Sequence, residues 1–174
     1  MEVPDAEAEH YAFLRLYSID LDVARQSCEL FTGIEDAQIR HAVLRDLVVT
    51  YARPFSGNRR EHGGPHHISS RAVPKEMRAL HQELMTLRMQ AFAHTDQAFR
   101  RPQIARWPRS SGGAYYGLGF ANPAYDSLTT RIADIETLVV AVESRVNEMV
   151  RECEARFERL YAPPAEKSSA ALGA

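Results

Sequence analysis

The chain has 174 residues and a mass of 19.6 kDa, 45% hydrophobic and 25% charged, enough for a single domain whose core needs neither disulfides nor a structural metal. No apolar run approaches the length of a membrane span, and the acidic opening Met1-Glu2-Val3-Pro4-Asp5-Ala6-Glu7 lacks the basic and apolar regions of a secretion signal, so a cytoplasmic location is expected. The formal charge of −2 hides an asymmetry, because residues 53–109 carry 11 Lys and Arg against 4 Asp and Glu, with five of the seven histidines, between net acidic flanks; a polyanion-binding face leaves this imprint, unless folding brings the acidic flanks back against it.

Phe13, Leu16, Tyr17, Leu21, Ala24, Cys28 and Phe31 recur at helical spacing and predict a first helix over about Asp5 to Phe31, stopped by Gly33, with a break near Ser18 to Asp20 as one alternative. Glu35 and Asp36 put negative charge at the start of a second helix, whose stripe Ile39, Val43, Leu47, Thr50, Tyr51 ends before Pro54. Its interior, Ala42 to Ala52, is apolar enough to be expected at the centre of a bundle. Residues 55–73 contain Ser56-Gly57-Asn58 and Gly63-Gly64-Pro65 and lack periodicity, so they read as a long basic loop. Pro74 and Glu76 open a third helix with Met77, Leu80, Leu84, Leu87 and Ala91 along one stripe; it runs to about His94 or Phe99, before Pro102.

Between residues 101 and 122, Gly112-Gly113 is a turn signal between two short runs with strand propensity, and a small hairpin or an irregular loop fits equally. Asn122-Pro123 then opens a last helix carrying Leu128, Ile132, Ile135, Leu138, Val139, Val142, Val146, Met149, Val150, Cys153, Phe157 and Leu160. At about 50 Å it is longer than one compact domain covers, so an overhang open to a partner is expected. Cys28 and Cys153 lie far apart within these patterns and suit buried hydrophobes in a reducing compartment. The fold class is therefore all-α, a bundle of four to five helices over residues 1–161 with one long basic loop, followed by a tail, 162–174, expected to be disordered.

There is no Gly-rich phosphate loop, serine nucleophile elbow or HExxH motif. The chemistry instead gathers at Arg88 and His94, at the end of the third helix. A guanidinium can neutralise and orient a phosphate through a fixed fork of donors, and an imidazole exchanges protons near neutral pH. Together they suit RNA cleavage by the adjacent 2′-hydroxyl, which needs proton transfers and stabilisation of a phosphorane, and no metal. Chance also supplies such spacings, as Arg59 with His66 and Arg60 with His67 show in the basic loop; only Arg88 and His94 border an apolar helical stripe. On a regular helix the two project about 120° apart, so gripping one phosphate requires either a distorted helix end or a second copy of the chain. Asp96 is placed to support His94, and Gln90 to reach substrate.

Leu87-Arg88, Ala93-His94 and Asp96 at the end of a long apolar helix, preceded by an apolar second helix, resemble the HEPN superfamily, and within it the AbiU2-like group. The resemblance covers mainly residues 35–100. It implies a helical-bundle homodimer whose two Arg/His motifs meet in a cleft, acting as a metal-independent endoribonuclease in toxin-antitoxin or phage-defence (abortive-infection) systems, with an antitoxin protein as a further partner. Met89 departs from the polar residue usual after the arginine, which favours an inert RNA- or protein-binding bundle as the alternative. Asp96 departs from the tyrosine found where a nucleotidyltransferase antitoxin modifies the toxin.

Arg100, Arg101, Arg106 and Arg109 interleave with Trp107, Tyr115, Tyr116 and Phe120 as in single-stranded nucleic-acid binders, although the aromatics also suit a cap on the bundle, and Arg53 is a further candidate phosphate contact. His62, His66 and His67 share one loop and could bind a transition metal through neutral imidazoles, but flexible His-rich loops are usually solvated, and they are read so here. No cofactor and no metal are expected.

Overall fold

A computed structural model of the chain describes residues 5–60, 64–92, 102–120 and 125–161. Helix α1, Asp5–Phe31, runs unbroken through Ser18–Asp20. It buries Leu14, Tyr17, Leu21, Ala24, Cys28 and Phe31, three and four residues apart and so on one face. Leu16, expected in that stripe, is 55% exposed; with Ile19, Val23 and Leu30 it forms a second apolar row on the opposite face. Helix α2, Ala37–Ala52, starts where the Asp36 carboxylate accepts the N–H groups of Gln38 and Ile39 at 2.8 and 3.0 Å, satisfying two of the unpaired donors of its first turn. It packs against α1 through Leu44, Leu47, Val48 and Tyr51, while Ile39 is exposed. The centre of the bundle is therefore α1, which packs against both α2 and the last helix.

The predicted last helix is two, α4, Tyr125–Thr129, and α5, Ile132–Tyr161. Between them the Arg131 N–H bonds back three residues to the Leu128 carbonyl at 3.0 Å, and the Thr130 hydroxyl donates to the Ser127 carbonyl at 3.0 Å. The tighter i→i+3 bond interrupts the α-helical ladder there. Arg131 then ties this corner to Glu83 at 2.8 Å.

α1 and α5 lie antiparallel along almost their whole length. The Tyr11 hydroxyl donates to Glu154 at 2.8 Å and the Ser18 hydroxyl to Asn147 at 2.7 Å, while Arg25 approaches Glu143 at 3.6 Å. With 27 and 30 residues the two helices are matched, and each covers the other's stripe. The expected overhang of the last helix is thus reduced to its final turn, where Leu160 of the stripe is 46% exposed. Among the described residues no helix is long and apolar enough to cross a membrane.

Residues 53–60 and 64–77 are irregular but return to the core. A 3-10 turn, Arg53–Phe55, leads to Asn58, which exchanges backbone hydrogen bonds with His66 at 2.9 and 2.8 Å; Ile68 and Val73 are then buried. After a 3-10 turn, Lys75–Met77, helix α3 covers Arg78–Leu87 and buries Leu80, Leu84 and Leu87, as the stripe predicts. It continues not as α-helix but as a π-helical turn, Arg88–Phe92, lying against α2.

Before α4 stands the hairpin, β1 (Pro102–Pro108) and β2 (Ala114–Phe120), antiparallel with Arg106 opposite Tyr116 and Trp107 opposite Tyr115. Gly112 and Gly113 have φ of +87° and +85°, a region costly for other residues, so the turn signal settles the choice between hairpin and irregular loop. The expected tail, 162–174, lies outside the described residues.

Candidate functional site

Arg88 stands at the junction between α3 and the π turn, where its N–H is shared by the carbonyls of Leu84 and Met85. An i→i+5 pattern places more residues in each turn than an α-helix does, so the 100° step that set Arg88 and His94 about 120° apart ceases to apply at Arg88 itself. The helix end is thus distorted over Arg88–Phe92. Arg88 is half-buried and has no carboxylate partner among the described residues. Gln90 is likewise half-buried in the π turn, whereas Met89 is 55% exposed. His94 and Asp96 lie outside the described residues, as do Arg100 and Arg101.

The other candidate cations divide. Arg53 binds Asp20 of α1 at 2.8 Å, and Arg60 binds Glu9 at 3.0 Å, so the acidic flank does fold back onto part of the basic window. A phosphate reaching Arg53 competes with that carboxylate. Arg106 and Arg109 are exposed on the hairpin and have no carboxylate partner among the described residues. Trp107 stacks on Tyr115, with ring centroids 5.4 Å apart and planes at 14°.

Two constellations were missed in the sequence. Arg71, Lys75 and Arg78 line a groove of about 420 Å³ with Arg145 of α5, where Glu148 takes up Arg145 at 2.8 Å. The i, i+4, i+7 spacing of the first three is legible within the basic window; Arg145 comes from a distant element.

The second constellation corrects the reading of His66 as a solvated loop residue. His66 is buried, stacked on Phe13 at 4.6 Å, with its Nε2 2.8 Å from His10 Nδ1 and its Nδ1 2.9 Å from the Tyr17 hydroxyl. That hydroxyl also donates to the His66 carbonyl at 3.1 Å and accepts from Asn58 Nδ2 at 3.0 Å. A neutral His66 that donates from Nδ1 and accepts at Nε2 satisfies every member. Burial, reinforced by His10, Arg60 and His67, lowers its pKa to about 4. His81, bonded to the Tyr51 hydroxyl at 2.9 Å, is lowered by burial. Both nitrogens of His66 are therefore taken inside the fold, and Tyr51 takes Nδ1 of His81.

Cys28 and Cys153 are buried free thiols, and burial pushes Cys28 up to about 12, which removes it as a nucleophile near neutral pH. Among the described residues no three His, Cys, Asp or Glu side chains form a metal-holding group. Compared with known proteins, the chain matches no family model, no curated protein and no solved structure.

Proposed function

We propose that this protein is a metal-independent endoribonuclease of the HEPN type, acting as a toxin or phage-defence effector. The observation that carries the reading is Arg88, a half-buried guanidinium without a carboxylate partner among the described residues, placed where α3 widens into a π turn. Cations not already neutralised are available to phosphate, and π turns recur at functional sites.

In the proposed reaction an RNA 2′-hydroxyl attacks the neighbouring phosphorus and the bond to the 5′-oxygen breaks, leaving a 2′,3′-cyclic phosphate. His94 takes the 2′ proton, and the leaving 5′-oxygen receives one from the same ring or from His94 of a second copy. Arg88 stabilises the added negative charge on the phosphorane. A homodimer completes the cleft, and the exposed row Leu16, Ile19, Val23 and Leu30 on α1 supports self-association.

The alternative is an inert bundle that binds RNA or protein. It is favoured by Met89, 55% exposed beside Arg88, where it offers substrate no hydrogen bond. The test is incubation of RNA with the protein in EDTA, beside Arg88→Ala and His94→Ala. Cleavage lost in both variants supports the ribonuclease; cleavage that survives both, or that needs added metal, sinks it. A strictly monomeric protein at micromolar concentration removes the composite cleft.

A further inference from the structure

The hairpin carries features that the fold does not use. A two-stranded hairpin alone is marginal in water, and among the described residues no helix packs extensively against either strand. Yet Ile104, Trp107, Tyr115, Tyr116 and Leu118 are all exposed on it. Alternation sorts them into two faces. One holds Ile104, Arg106, Tyr116 and Leu118; the other holds Trp107 and Tyr115 with Ala105 and Gly117.

On the second face the six-membered ring of the indole lies against Gly117 of β2. A Cβ at Gly117 would meet its ring at 2.4 Å, so only glycine leaves room for that pose. With Tyr115 stacked on the same ring at 5.4 Å, Trp107 is fixed between two neighbours while 42% of it, and 49% of Tyr115, faces solvent. Residues 102–120 contain no Asp or Glu, and the exposed Arg109 stands two residues after Trp107, while Arg106 lies on the other face. Held, half-exposed aromatic rings beside a guanidinium that has no carboxylate partner among the described residues are complementary to unpaired bases on a phosphate backbone. A duplex hides its base faces in the stack and offers such rings little.

We infer that the hairpin face formed by Trp107, Tyr115 and Gly117 is a stacking platform for single-stranded RNA, with Arg109, just past the end of β1, taking a flanking phosphate. The inference deepens the proposed function and rests on its assignment of RNA as the ligand. It restricts the substrate to unpaired segments, and it makes the hairpin the element that presents them.

Trp107 is the only tryptophan in the chain, so its emission reports on this face directly. The experiment titrates the His94→Ala protein, which leaves RNA intact, with a 12-nucleotide oligouridylate and with the same strand paired to oligoadenylate. Single-stranded RNA is expected to quench Trp107 saturably and the duplex to do so far less. Tyr115→Ser should weaken single-strand binding about tenfold. In Trp107→Leu, followed with a labelled RNA, the loss should be of the same size, with the circular dichroism of the bundle unchanged. Gly117→Ala should weaken binding by displacing the ring.

Equal quenching by single strand and duplex, or indifference to Tyr115→Ser, overturns the platform in favour of plain charge attraction. Emission that shifts with protein concentration and ignores RNA also overturns it, because a second copy then covers the hairpin. Stacking without metal-free cleavage by the unsubstituted protein leaves the platform standing and removes the ribonuclease; cleavage without quenching does the reverse.

Discussion

The α1–α5 pair and the hairpin are opposites. Along the helix pair, polar groups are engaged with each other, Tyr11 with Glu154 and Ser18 with Asn147, over a stripe of buried aliphatic side chains. On the hairpin, large apolar and cationic side chains face outward beside no carboxylate. The first arrangement holds a fold together and leaves little for a ligand. The second leaves aromatic and cationic groups without a carboxylate partner among the described residues, as Arg88 is in its π turn.

The sharpest way to break the contrast is truncation on each side of it. Leu21→Ala, in the α1 stripe, should cost about 2–5 kcal/mol in urea unfolding. Leu118→Ala on the hairpin should stay within about 0.5 kcal/mol. Similar losses for the two would mean that the hairpin is part of the core. Next in size, Tyr17→Phe should cost about 1–3 kcal/mol, because it leaves His66 and Asn58 short of a buried partner; an unchanged midpoint would show that solvent reaches that network.

A smaller effect is expected with pH. The His66 pKa is about 4 in the folded chain, against 6.5 for an ordinary histidine, so between those values the unfolded chain binds the more protons. This contribution to stability is complete above pH 6.5 and lost as pH falls toward 4. His10 and His81, both lowered, act in the same direction. Denaturation midpoints at pH 7 and 4.5 should show the decline, and His66→Gln should flatten it; an identical slope in that variant removes His66 as its source. The smallest change in stability, within about 0.5 kcal/mol, is expected for Arg109→Gln. It should instead reduce the slope of log affinity against log salt for single-stranded RNA by about 0.7, and an unaltered slope would show that this guanidinium meets no phosphate.

Much of the fold is legible in the sequence where one local rule decides. Asp36 caps α2, Leu80, Leu84 and Leu87 set the face of α3, and Gly112-Gly113 turns the hairpin. Periodicity fails where a helix is apolar on two faces. Leu16 and Tyr17 both fit α1's pattern, and only the position of α2 and α5 decides that Tyr17 is buried and Leu16 is not. His66 is illegible for a different reason, since His10 and Tyr17 lie 56 and 49 residues away from it. At the candidate site, Arg88 and the hairpin's Arg106, Trp107 and Arg109 are picked out as candidates by residue type and spacing. The π turn is not, because Arg88 to Phe92 carries no proline or glycine to mark a change of helix.

The reaction itself is tested most directly by the chemistry of the cut. An RNA strand and the same strand with 2′-deoxyribose at the cleaved position are incubated with the protein in EDTA, and the product ends are identified. Attack by the 2′-hydroxyl leaves a 2′,3′-cyclic phosphate on the first strand and spares the second. Cleavage of the deoxy-substituted strand, or no cleavage of either, contradicts an Arg88–His94 ribonuclease.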